Sequence, residues 1–354
     1  MAASAEIQQR YLTLFLTTAD FGNDSVHLTH DGLLVEIGRG LVRLGKEHDM
    51  PKQLADELDL WGREMVKTFL KSEAAETAVG ARGDAWLAFF RATLKNRREW
   101  RTEQKQILEP RVQDLIDIVN RLAQDLENRS GREVLVIVDD LEKGESSAHK
   151  EMHQQLFQEH YETLVQPQLS IIYTLPVYFR ALPGSRIPQE QTYAFPAARL
   201  YSHLSKMEDR PDLDHELGGY GLMRSFIKRR LAQPQVLPEE LFDEILLIGG
   251  GLFRETARVI REAANYAPLR DGEAVSADDL AQVFSQIKKE YQPMIRGEAV
   301  AVLGAVLGSR TGWVPGVEPF LQSRAVVEYE NDDLWLDLRY PLKAYVRSLT
   351  EPDG

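Results

Sequence analysis

Residues 134–143 read VLVIVDDLEK, and this stretch decides the fold class that the sequence predicts. An unbroken apolar run rich in β-branched residues is typical of a strand buried on both faces, as in a parallel sheet. Two carboxylates, Asp139 and Asp140, follow the run directly. Ligands bind at the carboxyl ends of the strands in open α/β sheets, so these acids are candidates for a ligand site. The alternative interpretation is a strand that ends in a solvated Asp-Asp turn.

Other apolar runs predict further strands around this one. Residues 11–18 (YLTLFLTT) and 169–175 (LSIIYTL) are short and β-prone, and residues 192–200 are predicted as another strand. Apolar residues recur at helical spacing through most of residues 28–130, which separate the first of these strands from the VLVIV run. Strands separated by helices indicate an α/β layer.

Helical periodicity replaces the strand pattern from about residue 201 onward. Helices are predicted over residues 238–248, 252–266 and 277–290. Ser276 and Asp279 have the spacing of a capping box at the start of the last of these helices. The chain from residue 201 is therefore predicted to be a separate, helical part of the protein.

The carboxyl-terminal segment has a third pattern. Residues 326–329 and 334–338 alternate between apolar and polar positions, and a polar Asn-Asp-Asp turn at residues 331–333 separates them. This pattern predicts a small β-hairpin. Helices followed by a two-stranded wing indicate a winged-helix domain.

Composition limits the classes of function. The chain has 354 residues, of which 43% are hydrophobic and 27% charged, as in ordinary globular proteins. The formal net charge of −13 argues against extensive nucleic-acid binding, which needs an excess of Lys and Arg. The lack of cysteine excludes disulfides, thiolate metal sites and Cys nucleophiles. No apolar run reaches the length of a membrane span, and we expect a cytoplasmic protein.

Two other segments carry a polar residue at the end of a predicted strand or at the start of a predicted helix. Thr174 lies at the end of the apolar run 169–175, where it would meet the edge that carries the two acids; Thr is also simply a good strand former. Further on, a Gly-Gly-Gly turn at residues 249–251 precedes a helix with Arg254 in its first turn. A cation near a helix amino terminus is unfavourable for the helix dipole, which implies another partner for Arg254. The alternative is a glycine-rich turn with a solvated arginine.

In order and spacing, these segments resemble those of bacterial P-loop ATPases of the AAA+/STAND-like type. The resemblance covers residues 8–349, and its sharpest matches are VIVDDLE, IIYTLP, GGGLFRE and VEYEN. It implies an α/β fold, namely an incomplete ASCE-type P-loop NTPase parallel sheet over residues 1–200 with a large helical insert at about 28–130. A helical lid (201–292) and a winged-helix-like domain (293–354) would follow. Glu142 departs from the family, which usually continues Asp-Asp-Leu-Asp.

The resemblance also implies roles for four residues. Asp139 would bind the cofactors by holding Mg²⁺ through water, and Asp140 would be the catalytic base that polarises the attacking water. Thr174 would be sensor 1, and Arg254 would be sensor 2, which reaches the γ-phosphate of ATP. ATP and Mg²⁺ are therefore the implied cofactors.

The phosphate-binding loop that this family requires, Gly-x-x-x-x-Gly-Lys-Ser/Thr, has no credible match. Gly40 and Gly45-Lys46 have its spacing, but Glu47 stands where the Mg²⁺-binding hydroxyl belongs, and the segment lies inside a helical pattern. Residues 11–18 match the strand that follows the loop and its helix. We therefore expect the strand–loop–helix unit upstream of Met1, and weak or no ATP hydrolysis by this chain alone.

Three functions remain open at this point. The first is a nucleotide-dependent switch that reports to a protein partner or to another copy of itself. The second is a non-catalytic interaction scaffold derived from an ATPase. The third is a DNA-binding regulator that acts through a winged segment at residues 300–345; the acidic net charge and the acidic wing argue against it.

Overall fold

The computed structural model describes residues 5–17, 19–21, 28–69, 86–88, 90, 102–142, 147–181, 187–188, 191–270, 272–309, 312–330 and 334–350. The chain divides into two compact units, Met1–Thr192 and Tyr193–Gly354. The fold class is mixed α/β, mostly helical, with a small parallel sheet in the first unit and an antiparallel pair of strands in the second. The finer division at residues 200/201 and 292/293 stays a prediction.

Within the described part of the first unit, the parallel sheet has three strands in the order β1–β2–β3. They are β1 (Tyr11–Leu16), β2 (Glu133–Val138) and β3 (Ser170–Tyr173), and both pairings are parallel. β2 lies between the other two strands, and its residues 134–138 are all buried, which fits their continuous apolar character. The three strands predicted from residues 11–18, 134–138 and 169–175 are thereby confirmed.

Among the described residues of the first unit, helices precede β1 and separate the strands. The described α-helices are Ala5–Arg10, His30–Lys46, Lys52–Phe69, Thr102–Ser130, Ser147–Gln154 and Tyr161–Leu164, with a π-helical turn at Gln155–Glu159 and a 3₁₀ turn at Val177–Ala181. The helix His30–Lys46 starts at Thr29, whose side chain accepts a hydrogen bond from the Gly32 amide. Its apolar face packs against Thr102–Ser130 in one core with β1 and β2.

The two faces of the parallel sheet differ. Leu14 and Val136 belong to the face that joins the helical core. Phe15, Ile137 and Ile172 are in register on the opposite face, outside that core. Phe15 is 46% exposed and Ile172 is 40% exposed, whereas Ile137 between them is buried. A row of apolar side chains therefore crosses the sheet with both ends open to solvent.

The second unit is built around one apolar core that joins its helices to a hairpin. Its α-helices are Gly218–Arg230, Phe242–Gly249, Phe253–Tyr266, Ala277–Tyr291, Glu298–Gly308, Glu318–Gln322 and Tyr340–Thr350. Its 3₁₀ turns are Ser205–Met207, Pro234–Val236, Glu239–Leu241, Ala267–Arg270 and Gln292–Met294. The hairpin pairs β4 (Val326–Glu330) with β5 (Leu334–Leu338) in antiparallel register, which confirms that prediction. The predicted turn at residues 331–333 lies outside the described residues.

The α-helix predicted from residue 238 begins at Phe242, after a 3₁₀ turn at Glu239–Leu241. The local signal at Ser276 placed the start of the helix Ala277–Tyr291 correctly. The capping box is present, because the amide of Ser276 donates to Oδ2 of Asp279 at 2.8 Å while the Asp279 amide donates to the Ser276 hydroxyl. None of the described helices combines the length and the apolar composition that crossing a lipid bilayer requires.

The strand predicted over residues 192–200 is wrong. No strand occurs in residues 191–200, all of which the structure describes. Pro196 cannot donate to a ladder, and the neighbouring amides bind separate acceptors: Ala197 donates to the Glu328 carbonyl and Ala198 to the Gly251 carbonyl, each at 3.0 Å. The segment forms no strand and joins neither sheet.

Candidate functional site

Asp139 and Thr174 lie side by side at the carboxyl end of the parallel sheet. Each is the residue that follows its strand, and the ladder continues through both: the Asp139 amide donates to the Leu16 carbonyl and the Thr174 amide to the Val138 carbonyl. Val138 and Tyr173, the last residues of β2 and β3, are partners in the parallel register. The structure thus brings together two of the residues that the sequence singled out.

Asp140 turns the chain sharply away from β2. Its φ angle of 69° is in the left-handed region, which non-glycine residues adopt at a cost. Asp is among the residues that tolerate this conformation best because its short side chain bonds locally. The Asp140 amide donates to Oδ1 of Asp139 at 2.9 Å, which closes the turn. Both carboxylates are half-buried.

Glu142 completes a cluster of three carboxylates with Asp139 and Asp140. One oxygen from each lies within 4.8 Å of the others, and all three residues are partly exposed. The Thr174 hydroxyl donates to Oε2 of Glu142 at 2.9 Å, so the end of β3 is tied to the acidic turn. Hard divalent cations such as Mg²⁺ prefer oxygen ligands of this kind, so the donor set fits such an ion.

A buried histidine supports the acidic turn from the protein interior. Nε2 of His153, in the helix Ser147–Gln154, bonds the Leu141 carbonyl at 2.5 Å, and its Nδ1 lies 3.0 Å from the Tyr178 hydroxyl. Since a carbonyl only accepts, Nε2 carries the proton and Nδ1 accepts from Tyr178. His153 thereby connects the turn after β2 with the segment after β3.

Burial keeps this histidine neutral. Desolvation lowers the pKa of His153, and the charge of Glu142 opposes that shift. Burial also raises the pKa of the Tyr178 hydroxyl to about 12, so this group remains a donor at neutral pH. The two hydrogen bonds that His153 makes behind the acidic turn are therefore bonds between uncharged groups.

Arg254 belongs to the second unit, where the predicted glycine turn is present. The helix Phe242–Gly249 ends at Gly250, and Arg254 is the second residue of the next helix, Phe253–Tyr266. Its side chain is exposed, whereas that of the following residue, Glu255, is buried. The roles predicted for Arg254 and for the three residues of the first unit stay predictions.

The rejected phosphate-loop match lies in a helix, as its apolar pattern predicts. Gly40, Gly45 and Lys46 are all part of the helix His30–Lys46. A Cβ atom at Gly40 would approach Cδ2 of Leu14 to 2.6 Å. Gly40 thus lets the helix pack closely on β1, and the match has no loop geometry.

Sequence reasoning missed three residues of this region. Glu142 was noted only as a departure from a family pattern, yet it contacts Thr174 directly. His153 and Tyr178 were not singled out, and only a histidine within an otherwise amphipathic helix hinted at the first. Contacts between residues far apart in sequence leave little local signal.

The chain was compared with protein-family models, with curated proteins and with solved structures, and none of them matches it.

Proposed function

We propose that this chain is an ATP-responsive switch module of the P-loop ATPase kind, and that its acidic turn forms the metal side of the nucleotide site. The observation that carries the proposal is the hydrogen bond between Thr174 and Glu142. It joins the carboxyl ends of two neighbouring parallel strands at the place where Asp139 and Asp140 also lie. Open α/β sheets bind ligands at this edge.

Each residue of the acidic turn has a task in this proposal. Asp139 and Glu142 would supply the oxygens that hold Mg²⁺. Asp140 would orient a water molecule for attack and accept its proton. Thr174 could offer its hydroxyl to a phosphate oxygen only after leaving Glu142. Mg²⁺, when bound with ATP, supplies positive charge that stabilises the phosphates during transfer.

The proposal includes a phosphate-binding unit that docks beside this site. Among the described residues β3 pairs on one side only, with β2, and Ile172 on that strand is 40% exposed. A further strand could pair with β3, and a helix attached to it could cover the row of Phe15, Ile137 and Ile172. We propose that a strand–loop–helix unit with a phosphate loop docks there, and that the chain alone hydrolyses ATP weakly or not at all.

The second unit would act as the reporter of the switch. In this proposal its helices are the lid, with Arg254 as sensor 2, and its carboxyl-terminal helices and hairpin form a winged-helix domain. The finer fold, an ASCE-type P-loop NTPase core followed by lid and winged helix, is part of the same proposal. A protein partner or a second copy would read the nucleotide state.

Calorimetric titration of the chain with Mg²⁺-ATP tests the proposal. We expect weak binding that is lost in Asp139→Ala. Glu133→Ala is the matched control, because it removes a carboxylate from the opposite end of the same strand, where Glu133 is exposed and pairs with Arg10. Absence of binding at millimolar ATP, or equal binding by Asp139→Ala, would contradict the proposal for this chain.

A scaffold without catalysis is the second candidate, and the open apolar row favours it. Phe15 and Ile172 are large apolar side chains that remain substantially exposed, a feature common at protein-binding surfaces. A scaffold predicts that Asp140→Asn changes nothing that can be measured. It also predicts that Phe15→Ser abolishes partner binding while the nucleotide titration shows no heat.

A further inference from the structure

We infer that the carboxyl-terminal hairpin positions the glycine turn at residues 249–251 and, through it, Arg254. The sensor role of Arg254 rests on the proposed function, but the mechanical link does not. Two buried donors from the hairpin region hold the backbone of the turn. The Tyr329 hydroxyl donates to the Gly250 carbonyl at 2.9 Å, and Nη2 of Arg339 donates to the Ile248 carbonyl at 3.0 Å.

A buried carboxylate fixes the first turn of the helix that carries Arg254. Glu255 is 4% exposed and follows Arg254 directly. Its Oε2 accepts from Nη1 of Arg339 at 3.0 Å, and its Oε1 accepts from Nη1 of Arg324 at 3.0 Å. A buried carboxylate that lost these partners would be strongly unfavourable. The residue next to Arg254 is therefore bound from both sides of the hairpin, just before β4 and just after β5.

The turn itself has little freedom to adjust. Gly250 and Gly251 have φ angles of 64° and 72°, which favour glycine. A Cβ atom at Gly251 would lie 2.1 Å from the Ala198 carbonyl oxygen, and the Ala198 amide donates to the Gly251 carbonyl. The turn therefore has a fixed backbone shape, and the bonds from Tyr329 and Arg339 couple its position to that of the hairpin.

The donor on β4 is itself held rigidly. The Tyr329 ring stacks on Trp335 of β5, with ring centroids 4.4 Å apart and planes 21° apart, and Tyr201 packs against both. Tyr329 therefore moves with the hairpin as a whole. A partner that binds and displaces this hairpin would change the position of Arg254 without contacting Arg254.

Hydrogen exchange of the turn amides tests the link in the full chain. Tyr329→Phe removes one hydroxyl and keeps the aromatic stack, so we expect residues 249–255 to exchange about five- to tenfold faster, as the loss of one hydrogen bond allows. Exchange in the helix Ala277–Tyr291 should stay unchanged. Val346→Ala is the matched control, since it weakens the same core without removing a bond to the turn. Equal exchange in wild type and Tyr329→Phe overturns the inference.

A second variant covers the case in which Tyr329→Phe does not fold. Arg339→Lys keeps a positive charge near Glu255, but a single ammonium cannot reproduce the fork that reaches both Glu255 and the Ile248 carbonyl. Accelerated exchange of residues 248–255 supports the inference, and unchanged exchange of these residues overturns it. The end of the helix Ala277–Tyr291 is no reference for this variant, because Arg339 also donates to the Tyr291 hydroxyl. Mg²⁺-ATP titration of Arg254→Ala then separates the two proposals. If residues 249–255 exchange faster in Tyr329→Phe but Arg254→Ala binds Mg²⁺-ATP with wild-type affinity, the link to the hairpin stands and Arg254 is not a sensor.

Discussion

The hydroxyl of Thr174 donates a hydrogen bond of 2.9 Å to Oε2 of Glu142, and these residues come from the ends of neighbouring strands. The bond holds Glu142 beside Asp139 and Asp140, so the three carboxylates share one small volume. Since these acids would repel one another when ionised, the hydroxyl helps to keep the third acid in place.

The first prediction concerns this bond. Thr174→Val removes the hydroxyl but keeps a β-branched side chain, so Glu142 loses its partner while the strand end is preserved. We expect the affinity for Mn²⁺ or Mg²⁺, measured by calorimetry, to fall about fivefold, as the loss of one hydrogen bond implies. Thr174→Ser is the control, because it retains the donor. Equal metal affinity in the Val and Ser variants would show that Thr174 does not organise the cluster.

The second prediction concerns the support behind the acidic turn. His153→Phe leaves the Leu141 carbonyl and the Tyr178 hydroxyl without their partner in a buried place. We expect the free energy of unfolding to fall by about 1–3 kcal/mol, measured by chemical denaturation. The double variant His153→Phe/Tyr178→Phe removes one of the stranded groups and should recover part of the loss. Additive losses would mean that the two side chains act independently.

The third prediction is a dependence of stability on pH. Because burial lowers the pKa of His153 in the fold, the unfolded chain binds a proton at a higher pH than the folded chain does. Stability from this group is complete above the unfolded pKa and declines as pH falls through and below about 6.5, by at most about 1.4 kcal/mol per pH unit. The neighbouring charges are those of His149, which lowers the pKa further, and Glu142, which raises it.

Denaturation curves from pH 8 to pH 5 check this sign. In His153→Gln the slope between pH 7 and pH 5 should be shallower than in the wild type, because one titrating group has gone. An identical slope would assign the pH dependence to other groups.

The fourth prediction concerns a buried ion pair of the second unit. Nζ of Lys343 lies 2.6 Å from Oδ2 of Asp337, both side chains are fully buried, and the Tyr201 hydroxyl donates to the same oxygen. Burial raises the pKa of Asp337 and lowers that of Lys343, while their mutual attraction opposes both shifts. Lys343→Met leaves the Asp337 carboxylate without its ion-pair partner. We expect the free energy of unfolding to fall by about 3–5 kcal/mol.

Thermal and chemical denaturation measure this loss. The double variant Asp337→Leu/Lys343→Met removes the carboxylate that Lys343→Met leaves without its ion-pair partner, and it should be more stable than Lys343→Met alone. The buried Lys206 keeps its bonds to the Val306 and Leu336 carbonyls in both variants. If the double variant is the less stable of the two, packing rather than charge determines the role of the pair.

Local patterns in the sequence predicted the strands and the edge of the candidate site. The unbroken run in β2 needs burial on both faces, so a buried strand of a parallel sheet with Asp139 directly beyond it follows from composition. Thr174 was placed at the same edge by the same reasoning. These predictions succeeded because each depends on residues that are neighbours in sequence.

Long-range contacts were beyond such patterns. Glu142 and Thr174 are 32 positions apart, and His153 is 25 positions from Tyr178; no periodicity records either pairing. At residues 192–200 the local pattern predicted an element that the structure does not contain. Its composition suits a strand, but a strand needs a partner, and Ala197 finds only a single carbonyl of β4.

The left-handed backbone at Asp140 has a consequence for saturation libraries at this position. A substitution at this position can act in two ways: through the energy of the left-handed backbone and through the loss of the carboxylate. Asn keeps the local bonding of the side chain, and Gly relieves the angle altogether, whereas Val or Ile would add about 1–2 kcal/mol of steric cost. The effect of Asp140→Ala therefore combines a loss of stability with a loss of the carboxylate. Selection for folding alone should already enrich Gly, Asn and Asp at this position.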